Sequence, residues 1–120
     1  MIRVITAAAC LLPIATGGCA TSTLKGMREG KPVLVADSTR DPASFTACVS
    51  ETWVANGLTP KSVPRTNGAT VLIEVAIYNT PFMFVDADAT PNGSHVTMHL
   101  LKAIWAKQNR KRVEEVRACL

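Results

Sequence analysis

The stretch from Ala69 to Leu100, ATVLIEVAIYNTPFMFVDADATPNGSHVTMHL, decides the fold. Between Ala69 and Tyr78 its apolarity repeats every second residue. Val71, Ile73, Val75 and Ile77 share one face, and Leu72, Glu74, Ala76 and Tyr78 the other. The first set is wholly β-branched, which suits a pleated surface against a core. Asn79-Thr80-Pro81 interrupts the run, and Phe82-Met83-Phe84-Val85 resumes it. Asn92-Gly93 is a strong hairpin signal. A two-residue loop at that dipeptide predicts Val85 opposite Leu100, Ala87 opposite Met98 and Ala89 opposite Val96, all on an apolar face. The alternate set then pairs Asp86 with His99, Asp88 with Thr97 and Thr90 with His95. A slip of one residue would mix the two faces, so patterning holds the register. A three-residue loop at 79–81 places Tyr78 across from Phe82 and Ala76 across from Phe84. An antiparallel meander over 69–78, 82–90 and 94–101 is expected.

Outward from this meander, Val33-Leu34-Val35-Ala36 reads as a short buried strand, and Lys61-Ser62-Val63 as another between Pro60 and Pro64. Asp41-Pro42 is a helix start, with the carboxylate as N-cap and proline at the first helical position. Phe45, Cys48, Val49 and Trp53 then form one face of a helix over 42–56, and Asn56-Gly57 stops it. Val113, Val116 and Leu120 make a second amphipathic helix over about 109–120. The fold class is α+β in two layers: an antiparallel meander of three to five strands with two helices packed on one face.

The whole chain has 120 residues, enough for one domain, with 48% hydrophobic and 18% charged residues and a net charge of +4. So apolar and unrepetitive a composition excludes disordered, collagen-like and coiled-coil chains. Aromatics at 5% argue against a base-stacking nucleic-acid module. At the N-terminus, Arg3 precedes an uncharged run from Val4 to Ile14, followed by small residues up to Cys19. That order is the anatomy of a secretory signal, and the run is too short to span a bilayer. The segment Thr16-Gly17-Gly18-Cys19 resembles the lipobox of bacterial lipoproteins. The resemblance covers the first nineteen residues and names no family for the rest. It implies a signal peptide over 1–18, a lipidated Cys19 and, with Ala20 rather than aspartate next, an outer-membrane lipoprotein facing the periplasm. Residues 19–32 then read as a flexible tether and 33–120 as the domain. The alternative is cleavage after Ala20 and a soluble periplasmic or secreted protein.

The chain has four cysteines. On the lipoprotein reading Cys10 leaves with the signal and Cys19 takes lipid, so Cys48 and Cys119 remain for a disulfide in an oxidising compartment. With both on inward helix faces, that bond is expected to join helix to helix. The competing reading, a reactive thiol at Cys48, suits an apolar helix face poorly.

Other chemistry is sparse. His95 and His99 have a zinc-like spacing only on a helix, and their surroundings read as strand, where four residues span about 13 Å. Asp86, Asp88 and Asn92-Gly93 lack the spacing and terminal glutamate of a calcium loop. No catalytic set, phosphate-binding glycine loop or metal quartet is found, so no cofactor and no metal are expected. Lys107, Arg110, Lys111 and Arg112 form a basic cluster, a candidate contact for an anionic envelope surface. Tyr78, Phe82 and Phe84 make a candidate partner-binding patch on the outer sheet face, to which Trp105, in the segment 102–108 that could cover it, is added. The expected function is a cell-envelope lipoprotein acting as a non-enzymatic binding or structural module. The alternative is a soluble accessory or inhibitor-like protein of an envelope enzyme or secretion complex. Its partners are expected to be the membrane, through the lipid, and a protein or a second copy, with no nucleic acid and no small-molecule substrate.

Overall fold

Alternation along 69–100 produces the three central strands of an antiparallel sheet, and two shorter strands complete it. The computed structural model describes residues 19–75, 80–101 and 106–120. In chain order the elements are α1 (Cys19–Glu29), β1 (Leu34–Ser38), α2 (Pro42–Ala55), β2 (Lys61–Arg65), β3 (Gly68–Val75), β4 (Thr80–Thr90), β5 (Gly93–Leu100) and α3 (Ala106–Arg117). The strand order is β1-β5-β4-β3-β2, every neighbour antiparallel. The class is α+β. Residues 1–18, expected to be a signal peptide, Ala76, Ile77 and Tyr78 of the meander, and Trp105 lie outside the described residues.

Helix α2 begins where the sequence predicts. The Asp41 side chain accepts from the Ser44 backbone N–H at 2.8 Å, Pro42 opens the helix, and Gly57 follows the Asn56 cap at φ 81°. Phe45, Val49 and Trp53 are fully buried against Val71, Met83, Val85, Ala87, Val96 and Met98 of the sheet. This is the main core. Val116 and Cys119 close it from the C-terminal side.

Both predicted hairpin registers need correction. The β4–β5 pairs are Val85 with Met98, Ala87 with Val96, Asp86 with Thr97 and Asp88 with His95. Thr90 pairs with Gly93, so the loop is Pro91-Asn92 rather than Asn92-Gly93. Proline at the first loop position pre-sets its negative φ, and glycine follows the turn, as the commonest turn type favours. The shift is an even number of residues, so every side chain keeps its face. Gly93 is required where it stands. Its φ is 146°, and a Cβ there would lie 2.1 Å from the Ser38 carbonyl oxygen.

Between β3 and β4 the pairing runs Ile73 with Met83 and then Glu74 with Pro81, leaving Phe82 as a bulge. A proline in a central strand is tolerated beside such an irregularity, where a ladder bond is already lost. The bulge turns Phe82 toward the main core, against which it is half-buried. Simple alternation had placed it beside Phe84 on the other face.

Three further expectations are overturned. Residues 19–29, read as part of a tether, form α1, which covers the second face of the sheet. The sheet therefore has helices on both sides, not on one. The disulfide is Cys48–Cys119, with Cα atoms 5.8 Å apart. It joins α2 to the C-terminal turn beyond α3, because that helix ends at Arg117. The bond is helix to terminus.

Candidate functional site

The face of the sheet opposite α2 carries its buried carboxylate and its buried histidine. Alternation on β4 places Phe84, Asp86 and Asp88 there. The facing strands add Thr70 and Leu72 from β3, Arg65 from β2 and His99 from β5. Thr70, Leu72, Phe84, Asp86 and His99 are all buried. A carboxylate in such a position is costly unless charged donors surround it.

Arg28, near the C-terminal end of α1, supplies them. Its Nε donates to Asp86 Oδ2 at 2.9 Å and its Nη2 to Oδ1 at 3.0 Å, a two-pronged pair. The Thr70 hydroxyl donates to Asp86 Oδ1 at 2.5 Å. The same hydroxyl accepts from Arg28 Nη2 at 3.2 Å and from Arg65 Nε at 2.8 Å. With one proton and two lone pairs, it is saturated. Arg65 also pairs with Asp88 at 2.7 Å and stands 3.7 Å from Asp86. Burial alone would raise the Asp86 carboxyl. The bonds from Arg28 and Thr70, with the charges of Arg28 and Arg65, outweigh it and hold the group below the usual carboxylate range. Its bond to Asp86 pushes Arg28 above the ordinary guanidinium value. Donors on both carboxylate oxygens make this cluster a lock holding α1 to the sheet, not a proton-transfer site.

Beside the lock, the Arg28 guanidinium carbon lies 5.4 Å from the centre of the Phe84 ring. His99 stacks on the same ring, 5.1 Å away and 18° from parallel. His99 Nε2 lies 3.2 Å from the Gly30 carbonyl oxygen. A carbonyl only accepts, so Nε2 donates to it. Nδ1 is buried and has no partner among the described residues. A cleft of about 440 Å³ runs between the end of α1 and the end of β5, with His99 in its wall.

The expected site residues fare unevenly. Phe84 is fully buried beneath α1 and Phe82 packs on the main core, so the two do not form an exposed patch. Tyr78 and Trp105, the other members, lie outside the described residues. The expected pairing of Asp86 with His99 is replaced. Asp86 is held by arginines, and it is His95 that finds a carboxylate, Asp37 at 3.0 Å. In the basic cluster Arg110 and Lys111 are exposed. Arg112 is spent on Glu115, with Nη1 at 2.6 and 2.9 Å from its two oxygens. Lys107 falls in the first turn of α3. Cys19 is the first residue of α1. Among the described residues, no three His, Cys, Asp or Glu side chains come close enough to share a metal ion.

Sequence reasoning missed Arg28, Arg65 and Thr70. The signal was Asp86 itself. A carboxylate flanked by inward residues on a strand demands a cation, and Leu24, Met27 and Arg28 carry helical spacing through the segment read as a tether. No protein-family model matches the chain, and no curated protein or solved structure does either.

Proposed function

We propose that the protein is a small cell-envelope lipoprotein, anchored through Cys19, acting as a non-enzymatic binding or structural module. One observation carries the reading: the Cys48–Cys119 disulfide accounts for both cysteines of the domain and leaves Cys19 alone behind a signal-like leader. Disulfides of this kind belong to oxidising compartments. No helix among the described residues is long and apolar enough to cross a membrane. The anchor in this reading is lipid on Cys19.

In this reading α1 is a stalk rather than a tether. Its 11 residues rise about 16 Å and run directly into the Arg28 lock. The domain is held beside the bilayer, within reach of envelope surfaces and short of distant ones. The test is the chemistry of the mature N-terminus. Mass spectrometry of the protein from membranes should find an acylated Cys19, and Cys19→Ser should move the protein to the soluble fraction. A mature chain beginning at an unmodified Thr21 would refute lipidation and favour the soluble periplasmic alternative.

A further inference from the structure

The two outer strands of the sheet, β1 and β2, differ in what they offer a further strand. Which backbone groups face outward follows from the loops. Thr90 and Gly93 flank a two-residue loop, so they exchange both backbone bonds. Bonding direction alternates along a strand. Gly93, His95 and Thr97 therefore turn toward β4, and Ser94, Val96 and Met98 toward β1. Their partners Ser38, Ala36 and Leu34 face inward, which leaves the N–H and C=O of Val35 and Asp37 facing out. Both residues are open to solvent: Val35 is 56% exposed and the Asp37 side chain 85%.

The opposite edge is built differently. Arg65 and Gly68 flank the two-residue loop between β2 and β3, so Arg65, Val63 and Lys61 bond inward. Ser62 and Pro64 face outward, and proline has no N–H to offer. A proline at an outward position is a device against edge pairing, and β1 carries none. One edge is blunted and the other is left open.

We propose that β1 pairs antiparallel with β1 of a second copy about a two-fold axis at Ala36, joining the two sheets edge to edge. Val35 then lies opposite Asp37 of the second copy, and Asp37 opposite its Val35. Each of these two pairs exchanges both backbone bonds, so β1 matches itself with no outward donor or acceptor left over. An axis at Val35 would instead set Asp37 opposite Val33, whose N–H is already given to the Met98 carbonyl at 2.8 Å. Ala36 faces itself in the close, non-hydrogen-bonded pair, where its small side chain fits. Within the strand no like charges are opposed, since each Asp37 faces a valine and keeps its own His95 at 3.0 Å. Five residues make a small contact, so association is expected in the micromolar range. The proposal goes beyond the anchor at Cys19 and does not rest on it.

Sedimentation equilibrium of the full chain at micromolar concentrations tests it, and a monomer–dimer equilibrium is expected. Val35→Pro deletes an outward N–H and leaves the bonds between β1 and β5 in place, so the fold should survive, as circular dichroism verifies. The dimer loses two hydrogen bonds and should weaken at least about ten-fold. Ser62→Pro, on the opposite edge, should leave association unchanged. Val35→Asp sets a carboxylate opposite Asp37 of the second copy and should weaken the dimer about five-fold. Adding Asp37→Lys makes each opposed pair one of opposite charges and should restore it. A chain that stays monomeric would overturn the proposal and leave the edge to a strand of another protein. So would a dimer that survives folded Val35→Pro, or one that Asp37→Lys fails to rescue from Val35→Asp.

Discussion

Replacing Arg28 by alanine removes the two bonds to Asp86 and the one to Thr70, while every residue of the main core stays in place. Stripping one partner from a fully buried ion pair costs about 3–5 kcal/mol. Two features lower that figure here. The Arg28 side chain is 34% exposed, and Arg65 remains 3.7 Å from the carboxylate it leaves behind. The expected loss is about 2–3 kcal/mol. It should appear as local opening, because α1 has 11 residues and a helix that short is not stable alone. Amide hydrogen exchange reads this directly. Protection across the described part of α1 should fall by a factor of about 30 to 150, with the strand amides much less affected. The pH dependence has a definite sign. Asp86 titrates lower in the folded protein than its ordinary value, so its contribution is complete above about pH 5 and is lost as pH falls through the depressed folded value. Parent and Arg28→Ala should therefore differ by a constant amount from about pH 5 upward and converge in strong acid. Unchanged α1 protection in the variant, or a stability gap that persists below the folded titration of Asp86, would refute the lock.

Two further perturbations probe the other supports of the fold. Gly93→Ala forces a Cβ to 2.1 Å from the Ser38 carbonyl at φ 146° and should cost about 2–4 kcal/mol in urea unfolding. Gly57→Ala, at φ 81° with nothing within 4 Å, should cost only about 1–2 kcal/mol, and equal losses would contradict the close approach. Reducing Cys48–Cys119, separated by 71 residues, should lower stability by about 4 kcal/mol in the chain-entropy account. Thermal melts with and without reductant measure it, and an unchanged midpoint would show that the unfolded chain gains little freedom.

The strands and α2 were legible because each is written in local chemistry. Alternating β-branched residues, an Asp-Pro start and an Asn-Gly stop all act within a few positions. What failed to show depends on encounters between distant segments. The choice between two loops around Asn92 was settled by Pro91, a local signal outweighed in the reading by Asn-Gly, and by the approach of Ser38 to Gly93, which no local window contains. The bulge at Phe82 reverses a face that alternation had assigned. The largest miss was α1. In a stretch of Thr, Ser, Gly and charges the spacing of Leu24, Met27 and Arg28 is a weak helix signal, and its partner, Asp86, lies 58 positions away from Arg28. Phe84 and Asp86 read as an exposed face only while the segment that covers them was taken for a linker.

The two faces of the sheet are secured by different physics, and this sets the order in which the molecule yields. The α2 face rests on buried Phe45, Val49 and Trp53 and is closed covalently by Cys48–Cys119. The α1 face rests on a charge pair laid over one aromatic ring and one histidine. The Arg28 side chain is 34% exposed, so water takes over its bonds as that contact opens, whereas the α2 core is dry and cross-linked. Cys19 and the lock occupy the same helix, with no intervening loop to absorb motion. Any pull at Cys19 is therefore carried to Arg28 before it reaches the core, so α1 is the part released first. The covalent and apolar half stays folded meanwhile. What release uncovers is Phe84 and His99, which Arg28 and the Gly30 carbonyl now meet.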